Sequence, residues 1–206
     1  MIDSIIFDID GTLWDSTYVI ADAWAELIRE RYRPDVHYTP DDLKAQFGKL
    51  LPDIASSLFP DLPKDEQMSL IDACCEAEHK ALICNSPGVF PGIEDTLEKL
   101  YQKYPLYIVS NCEAGYIDCL YQATGIGHFF QDSLCPGDTG MPKGDNIRAL
   151  VEKHGLRHPV YVGDTMGDYQ ATREAGVPFV FAAYGFGQVD NPEYVIEKPE
   201  DLLNLY

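Results

Sequence analysis

Four short apolar runs, each followed by loop residues and then by a helical pattern, constrain this chain more than any other feature. The runs are Ser4–Ile9, Leu106–Ser110, Val160–Gly163 and Pro178–Ala182. Continuous β-branched and aromatic runs of this length are typical of strands that are buried on both faces of a parallel sheet. Because strands that alternate with helices form βαβ units, the chain is predicted to be an α/β protein. Phe129–Cys135 is a weaker candidate for a further strand.

The segment between the first two runs is too long for an ordinary crossover. One helix is enough to connect two parallel strands, yet this segment holds four helical patterns. The first is Thr17–Arg33 and the second starts at Thr39 and Pro40. The other two are Pro52–Phe59 and Lys64–Ile83. We therefore predict an all-helical insert over residues 15–87 and a core made of residues 1–14 and 88–206.

Composition and charge exclude several classes of function. The chain has 206 residues, with 15 Lys and Arg against 34 Asp and Glu, and a net charge of −19. This excess argues against a surface for nucleic acid or for an anionic membrane, because either would need a basic patch. The N-terminal segment has no basic region, and no apolar stretch approaches the roughly 20 residues that span a bilayer. The six cysteines form no paired framework, so a reduced, cytoplasmic location is expected.

The first apolar run ends in two aspartates. Side chains alternate along a strand, so Asp8 and Asp10 point to the same side, and Gly11 lets the chain turn away. In an open parallel sheet, binding sites lie at the carboxyl ends of the strands. Two carboxylates this close are costly to bury unless a cation or a shared proton relieves them. We therefore expect this pair to line a crevice that attracts a cation.

The third run ends in a similar way. Asp164 lies at the strand end, and Asp168 follows one helical turn later. With Asp8 they form a corner of carboxylate oxygens, which are the ligands that suit a hard divalent ion, above all Mg²⁺. Zinc is not expected, since no group of His or Cys has ligand spacing.

If this acidic corner receives an anionic substrate, it also needs groups that bind anions. Ser110 and Asn111 end the second run, where a hydroxyl and helix-opening N–H groups can hold an anion, although such a pair is more often only a cap. Lys143 is the only lysine between Lys103 and Lys153, in a loop rich in Gly and Pro. A site with four acids and an anionic substrate needs a fixed cation of this kind.

Together these residues predict phosphoryl transfer through a covalent intermediate. Asp8 would attack phosphorus and form an aspartyl-phosphate. Asp10 would protonate the leaving group and later activate water. Mg²⁺ and Lys143 would offset the negative charge that otherwise repels a nucleophile from a phosphate.

In the order and separation of its motifs the chain resembles the haloacid dehalogenase-like hydrolase superfamily. The motifs are Asp8-Ile9-Asp10-Gly11-Thr12, Ser110-Asn111, Lys143 and Gly163-Asp164-Thr165-Met166-Gly167-Asp168. The resemblance implies a Rossmann-like core with an inserted helical cap of the C1 type. Phe90-Pro91-Gly92-Ile93, after the cap, is similar to phosphoglycolate phosphatase-type members.

The resemblance also implies roles for the site residues. The implied metal ligands are Asp8, Asp164 and the backbone carbonyl of Asp10, and the implied phosphate ligands are Ser110, Asn111 and Lys143. Asp168 would support the metal site or Lys143. One departure is that Pro142 precedes Lys143 and Gly144 follows it, whereas related phosphatases often have proline just after the lysine.

The function that this resemblance implies is a Mg²⁺-dependent phosphatase for a small phosphorylated metabolite. A sugar phosphomutase of the β-phosphoglucomutase type shares every core residue and stays an alternative. A non-catalytic phospho-acceptor switch is an alternative from another class. The substrate and the oligomeric state remain open.

Substrate specificity is expected to lie in the cap. Gly48 permits a bend between helices, Lys49 is placed to meet a second anionic group, and Trp14 lies where core and cap meet. Solvent exposure is the commoner explanation for Lys49, and packing is the commoner explanation for Trp14.

Overall fold

The parallel sheet predicted from the apolar runs is present in the computed structural model, which describes residues 2–35, 38–86 and 88–206. The strands are β1 (Ser4–Phe7), β2 (Leu106–Val109), β3 (Phe130–Leu134), β4 (Pro159–Gly163), β5 (Phe179–Ala182) and β6 (Tyr194–Ile196). The helices are α1 (Thr17–Arg31), α2 (Pro40–Lys44), α3 (Leu51–Leu58), α4 (Lys64–Cys84), α5 (Ile93–Tyr101), α6 (Tyr116–Thr124), α7 (Pro136–Thr139), α8 (Lys143–His154), α9 (Met166–Ala175) and α10 (Leu202–Leu205).

The strand order places the first apolar run at the centre of the sheet. The six strands run in the order β3-β2-β1-β4-β5-β6, and every neighbouring pair is parallel. This arrangement confirms the predicted Rossmann-like α/β class. The order reverses between β1 and β4, and open α/β sheets bind their ligands at such a reversal. The carboxyl ends of β1 and β4 are therefore the part of the sheet at which a site is expected.

Helices cover both faces of the central strand. Ile5 and Phe7 pack into a core that α5, α6 and α10 share with the insert, while Ile6 packs into a second core with residues of α8 and α9. All three side chains are at most 1% exposed. Burying each of them stabilises the fold by about 1.5–3 kcal/mol. The chain that leaves β1 is thus held firmly on both sides.

Four helices, α1 to α4, occupy the predicted insert. Ile20, Trp24 and Ile28 recur at helical spacing on the buried face of α1, which packs along α4. The start of α2 is a capping box in which Thr39 and Asp42 bind each other's backbone N–H, as the N-cap pattern predicts.

The insert also contacts the core directly, because α4 packs against α6. Pro87, the last residue of the predicted cap, lies outside the described residues. The division into a separate cap domain over residues 15–87 stays a prediction. None of the helices in the described ranges has the length and apolar character needed to cross a bilayer.

The two edge strands of the sheet, β3 and β6, differ most from what the sequence predicts. The weaker strand candidate is confirmed as β3, whereas β6 has no counterpart among the predicted strands. β6 is three residues long, and Tyr194 and Val195 are exposed in it. Its three apolar residues form a run that is too short to indicate a strand from sequence.

Candidate active site

A buried lysine joins two carboxylates at the carboxyl end of β1. The backbone N–H of Asp8 donates to the Val162 carbonyl at 2.9 Å, so the residue continues the sheet. Lys143 Nζ donates to Asp8 Oδ1 at 2.8 Å and to Asp168 Oδ1 at 2.6 Å. Asp8 and Lys143 are each 3% exposed. Although burial opposes it, the carboxylates of Asp168 and Asp8 raise the pKa of Lys143 above its ordinary value, so the side chain stays cationic.

Asp168 fixes that lysine from the start of α9. Its Oδ2 accepts from Thr165 Oγ1 at 2.7 Å and from the Thr165 backbone N–H at 3.0 Å, which completes a capping box. The other oxygen binds Lys143 and lies 3.4 Å from the hydroxyl of Tyr161. Asp168 therefore holds Lys143 in place, in agreement with the supporting role that the family resemblance implies.

The third carboxylate, Asp164, lies in a narrow cradle of backbone at the end of β4. Its side chain is fully buried, and Oδ2 accepts from the backbone N–H of Phe186 at 2.7 Å. Gly11 has φ +81°, and a Cβ built there would lie 2.1 Å from Asp164 Oδ2. The loop after β1 can approach Asp164 this closely only because residue 11 has no side chain.

The three carboxylates form a group that could hold a metal ion. Oxygens of Asp8, Asp164 and Asp168 all lie within 4.8 Å of one another. Burial, together with the nearby Asp168, raises the pKa of Asp8 to about 6 and the pKa of Asp164 well above its ordinary value. An all-oxygen donor set with this much unrelieved negative charge fits a hard divalent cation.

Asp10 is turned away from this group and is held by two hydroxyls. Its Oδ1 accepts from Tyr116 Oη at 2.7 Å and from Ser16 Oγ at 3.0 Å. Burial raises the pKa of Asp10 to about 7, although the hydrogen bond from Tyr116 opposes the shift. A carboxyl group that changes protonation near neutral pH is suited to proton transfer. With its Oδ1 bound by these two hydroxyls, the Asp10 side chain is not part of the carboxylate group of Asp8, Asp164 and Asp168.

Ser110 and Asn111 lie beside Asp8, at the end of β2. Ser110 is 4% exposed, and its hydroxyl is one of the groups that lower the pKa of Asp8 against the effect of burial. Asn111 Nδ2 donates to the backbone carbonyl of Gly48 at 2.9 Å, and its Oδ1 is a buried atom without a hydrogen-bond partner among the described residues. Asn111 thus links the insert to the strand ends that carry Asp8 and Asp164 with Lys143 beside them, a region that we call the catalytic corner.

The departure at the lysine motif has a packing explanation. Pro142 is the N-cap of α8, and Lys143 is its first residue. A Cβ at Gly144 would lie 3.2 Å from Glu174 Oε2 and 3.3 Å from the Ala171 carbonyl oxygen of α9. Glycine at this position therefore permits the close contact of α8 with α9 and leaves Lys143 at the site.

A cavity opens between the catalytic corner and the insert. Asp8, Asp10, Ser110 and Asn111 line it from the core. Its lining from the insert includes Trp24, Phe47, Gly48, Lys49 and Glu78. The structure therefore brings the predicted catalytic and phosphate-binding residues to one cavity, with Lys143 bound to Asp8 behind them.

The three predicted cap residues have different positions. Gly48 lines the cavity with φ +82°, which agrees with a bend at this point. Lys49 also lines it, is exposed and donates to Gln46 Oε1 at 3.1 Å. Trp14 is fully buried against Tyr116, with 5.9 Å between ring centroids, and is absent from the described residues that line the cavity. Its position is that of a packing residue.

Sequence reasoning missed the two hydroxyl groups that hold Asp10. Ser16 follows the first motif by a few residues, but Tyr116 is 106 positions away in α6. Neither residue belongs to a motif, so only the fold brings them to the carboxylate. A tyrosine in the first turn of the helix after Ser110-Asn111 was the one available signal.

The fold and the site together define a class: α/β proteins with a carboxylate corner at the strand ends and a helical insert above it. Residues 5–182 match the family model of the haloacid dehalogenase-like hydrolases. The chain belongs to this family and is therefore an enzyme of the hydrolase class.

Individual relatives are similar over nearly their whole lengths. The chain is 26% identical to a phosphoglycolate phosphatase from Vibrio parahaemolyticus, over 98% of this chain and 94% of that protein. It is 27% identical to the pyrophosphatase PpaX of Bacillus velezensis, over 99% of this chain and 96% of that protein. A solved haloacid dehalogenase-like hydrolase from Streptococcus pneumoniae superposes with a TM-score of 0.85 at 27% identity, covering 99% of this chain and 98% of that one.

Proposed function

We propose that the protein hydrolyses a small-molecule phosphate monoester through an aspartyl-phosphate on Asp8, with Mg²⁺ as its cofactor. The observation that carries this proposal is the placement of Lys143 between Asp8 and Asp168, next to a cavity that Asp10 also lines. Similarity to proteins named phosphoglycolate phosphatase and pyrophosphatase supports it.

Three groups of this chain would hold the metal ion. They are the carboxylates of Asp8 and Asp164, which lie with Asp168 in one group, and the backbone carbonyl of Asp10, which the family resemblance implies. When bound there, Mg²⁺ supplies positive charge that stabilises the phosphoryl group during its transfer. The cradle at Asp164, which excludes any side chain at Gly11, keeps that ligand in place.

In the first step, a carboxylate oxygen of Asp8 attacks phosphorus as the bond from phosphorus to the ester oxygen breaks. Lys143, Ser110 and Asn111 would bind the phosphoryl oxygens and stabilise their charge. Asp10 donates its proton to the departing oxygen, so that an alcohol leaves. Its raised pKa, about 7, keeps this proton available near neutral pH.

In the second step, water attacks the phosphorus of the aspartyl-phosphate. Asp10, now ionised, accepts a proton from that water, and the bond from phosphorus to the Asp8 oxygen breaks. Inorganic phosphate is released, Asp8 is again a carboxylate, and Asp10 is again protonated. The hydroxyls of Tyr116 and Ser16 position Asp10 for both transfers.

The insert would act as a cap that limits the access of bulk water. Phe47 stacks on Phe186 of the core with 5.8 Å between ring centroids, and the neighbouring Gly48 carbonyl accepts from Asn111. A covered site strengthens the electrostatic interactions inside it.

The test is a turnover assay with p-nitrophenyl phosphate and Mg²⁺. We expect steady release of inorganic phosphate over many turnovers, loss of activity in EDTA, and recovery when Mg²⁺ is added back. Release of only one equivalent would indicate a phospho-acceptor switch. Transfer of phosphate to an added sugar phosphate, in place of release, would indicate the phosphomutase alternative. Full activity in EDTA would contradict the metal requirement.

A further inference from the structure

Two acidic side chains that the proposed reaction does not use face the same cavity. Glu78 comes from α4 of the insert and is 3% exposed, and Glu113 comes from the loop between β2 and α6. Both line the cavity together with Asp8 and Asp10. A carboxylate oxygen of each lies within 4.8 Å of the other. The part of a substrate that extends from the catalytic corner therefore meets a second acidic wall.

The two glutamates of this wall have few compensating partners among the described residues. Glu78 Oε2 accepts from Trp24 Nε1, a neutral donor. Glu113 Oε1 lies 2.7 Å from His79 Nε2, and a protonated His79 offsets one carboxylate at most. Within the described ranges no lysine or arginine forms an ion pair with Glu78. Burial and the adjacent Glu113 raise the pKa of Glu78 well above its ordinary value, so Glu78 holds its proton until a cation beside it favours the ionised form.

Aromatic rings complete the same wall. Trp24, Phe47 and Tyr116 line the cavity with the two glutamates. A cation beside an aromatic face is stabilised by the ring quadrupole, and the effect is larger where water is excluded. Acidic oxygens combined with aromatic rings are a chemical environment that favours an organic ammonium group.

A carboxylate would meet an unfavourable environment in this part of the cavity. Among the described lining residues Lys49 is the only lysine or arginine, and its exposed ammonium already donates to Gln46. A negative leaving group would lie beside Glu113, and like charges at this range repel. Glycolate, the leaving group of phosphoglycolate, carries such a carboxylate.

A metal ion at this wall is less well matched than an ammonium group. Cys75 Sγ lies within 4.8 Å of the two glutamate oxygens. However, burial and the nearby Glu78 raise the pKa of the Cys75 thiol, and a thiol binds metal only after it loses its proton.

We infer that the enzyme selects phosphate monoesters of amino alcohols, with Glu78 and Glu113 binding the ammonium group of the substrate while its phosphate lies at Asp8. This inference rests on the proposed function, because it assigns the leaving group for the same cavity. It also departs from phosphoglycolate, the substrate that the names of several relatives indicate.

The experiment compares three phosphate esters of similar size with the full-length enzyme and Mg²⁺. The esters are phosphoethanolamine, with an ammonium group, glycerol 3-phosphate, which is neutral beyond its phosphate, and phosphoglycolate, with a carboxylate. We expect kcat/KM for phosphoethanolamine to exceed that for phosphoglycolate at least tenfold, with glycerol 3-phosphate between them.

Two variants test the residues behind this preference. Glu78→Gln and, separately, Glu113→Gln should each lower the kcat/KM ratio of phosphoethanolamine to glycerol 3-phosphate about tenfold, chiefly through KM for phosphoethanolamine. Glu76→Gln, at an exposed position of the same helix, is the matched control and should leave the ratio unchanged. A merely structural role would lower both kcat/KM values together and leave their ratio unmoved.

Failure of this inference is distinguishable from failure of the proposed function. Hydrolysis of p-nitrophenyl phosphate with phosphoglycolate preferred over phosphoethanolamine would overturn the ammonium assignment alone. An unchanged ratio in both glutamine variants would also overturn it. Absence of turnover with every ester would instead reject the phosphatase itself.

Discussion

The catalytic corner and the insert wall, which is the part of the lining formed by Trp24, Phe47, Gly48, Lys49 and Glu78, meet in one cavity. The two regions are held in different ways. In the corner, Asp8 and Lys143 are each 3% exposed, and the lysine has two ion-pair partners. In the wall, Lys49 is exposed, and the Gly48 carbonyl is tied to the core through one side chain, Asn111. The corner is fixed by strand ends, whereas the wall depends on a few contacts across the cavity.

This difference separates reaction chemistry from recognition. The corner contains side chains that any phosphate ester would need, and their positions follow from the sheet. The wall contains Glu78 and aromatic rings, which would contact only the part of the substrate that varies from one ester to another. Changes in the corner should therefore affect all substrates alike, and changes in the wall should act on some substrates more than on others.

The largest effect is expected from Asp8→Asn, which removes the proposed nucleophile. Turnover of every ester should fall by more than about 10⁴-fold, as for other covalent nucleophiles. Acid-quenched mixtures should contain no phosphorylated protein by mass spectrometry. Asp95→Asn, an exposed position on α5, is the matched control and should retain activity. A substantial kcat in the Asp8 variant would contradict the assignment of this corner as the reaction centre.

A smaller effect, about 10³-fold in kcat, is expected from Asp10→Asn, since general acid–base groups contribute roughly 10²–10⁴-fold. The variant keeps Asp8 and should still accept phosphate from p-nitrophenyl phosphate, whose leaving group needs little help from an acid. It should then fail to release that phosphate, because no base activates water. Quench-flow would measure the phosphorylated enzyme, and rapid release would argue against Asp10 as the base.

The smallest effect on kcat/KM is expected from a substitution in the insert wall. Phe47→Ala removes the stack on Phe186, and an aromatic pair contributes about 0.5–1.5 kcal/mol beyond its buried area. We expect kcat/KM to fall about tenfold or less, by an amount that depends on the ester tested. Tyr101→Ala, which breaks the Tyr101–Phe129 pair away from the cavity, is the control. An equal loss of kcat/KM for every ester would contradict the proposed difference between the two regions.

The burial of strands and the starts of helices explain which parts of the fold were predictable from the sequence. The strands at the centre of the sheet are uniformly buried, as in β1 and β4, and a buried parallel strand produces a continuous apolar run. The insert was predictable because its helices have clear starts, as at Thr39, and because they exceed what one crossover needs. The edge strand β6 has an apolar run of only three residues, which is too short to predict a strand.

Within the site, residues at strand ends were predictable and their partners were not. Asp8, Ser110 and Asp164 each follow a recognisable apolar run, and the carboxyl ends of parallel strands converge. Glu78 is one of several acids on a long helix, and only tertiary packing buries it at the cavity. The spacing of Ile71, Cys74 and Leu82 marks the buried face of this helix, but tertiary packing sets which cavity that face meets.

The hydrogen bond from Ser16 to Asp10 has a consequence for the timing of catalysis. Ser16 immediately precedes α1, the first helix of the insert, whereas the second donor, Tyr116, belongs to α6 of the core. Asp10 is therefore clamped by one hydroxyl from each side of the boundary between core and insert. A rotation of α1 that carries Ser16 away would leave the carboxyl group on a single donor and free to turn. Any movement of α1 away from the core would therefore also remove one of the two hydrogen bonds that position Asp10 for proton transfer.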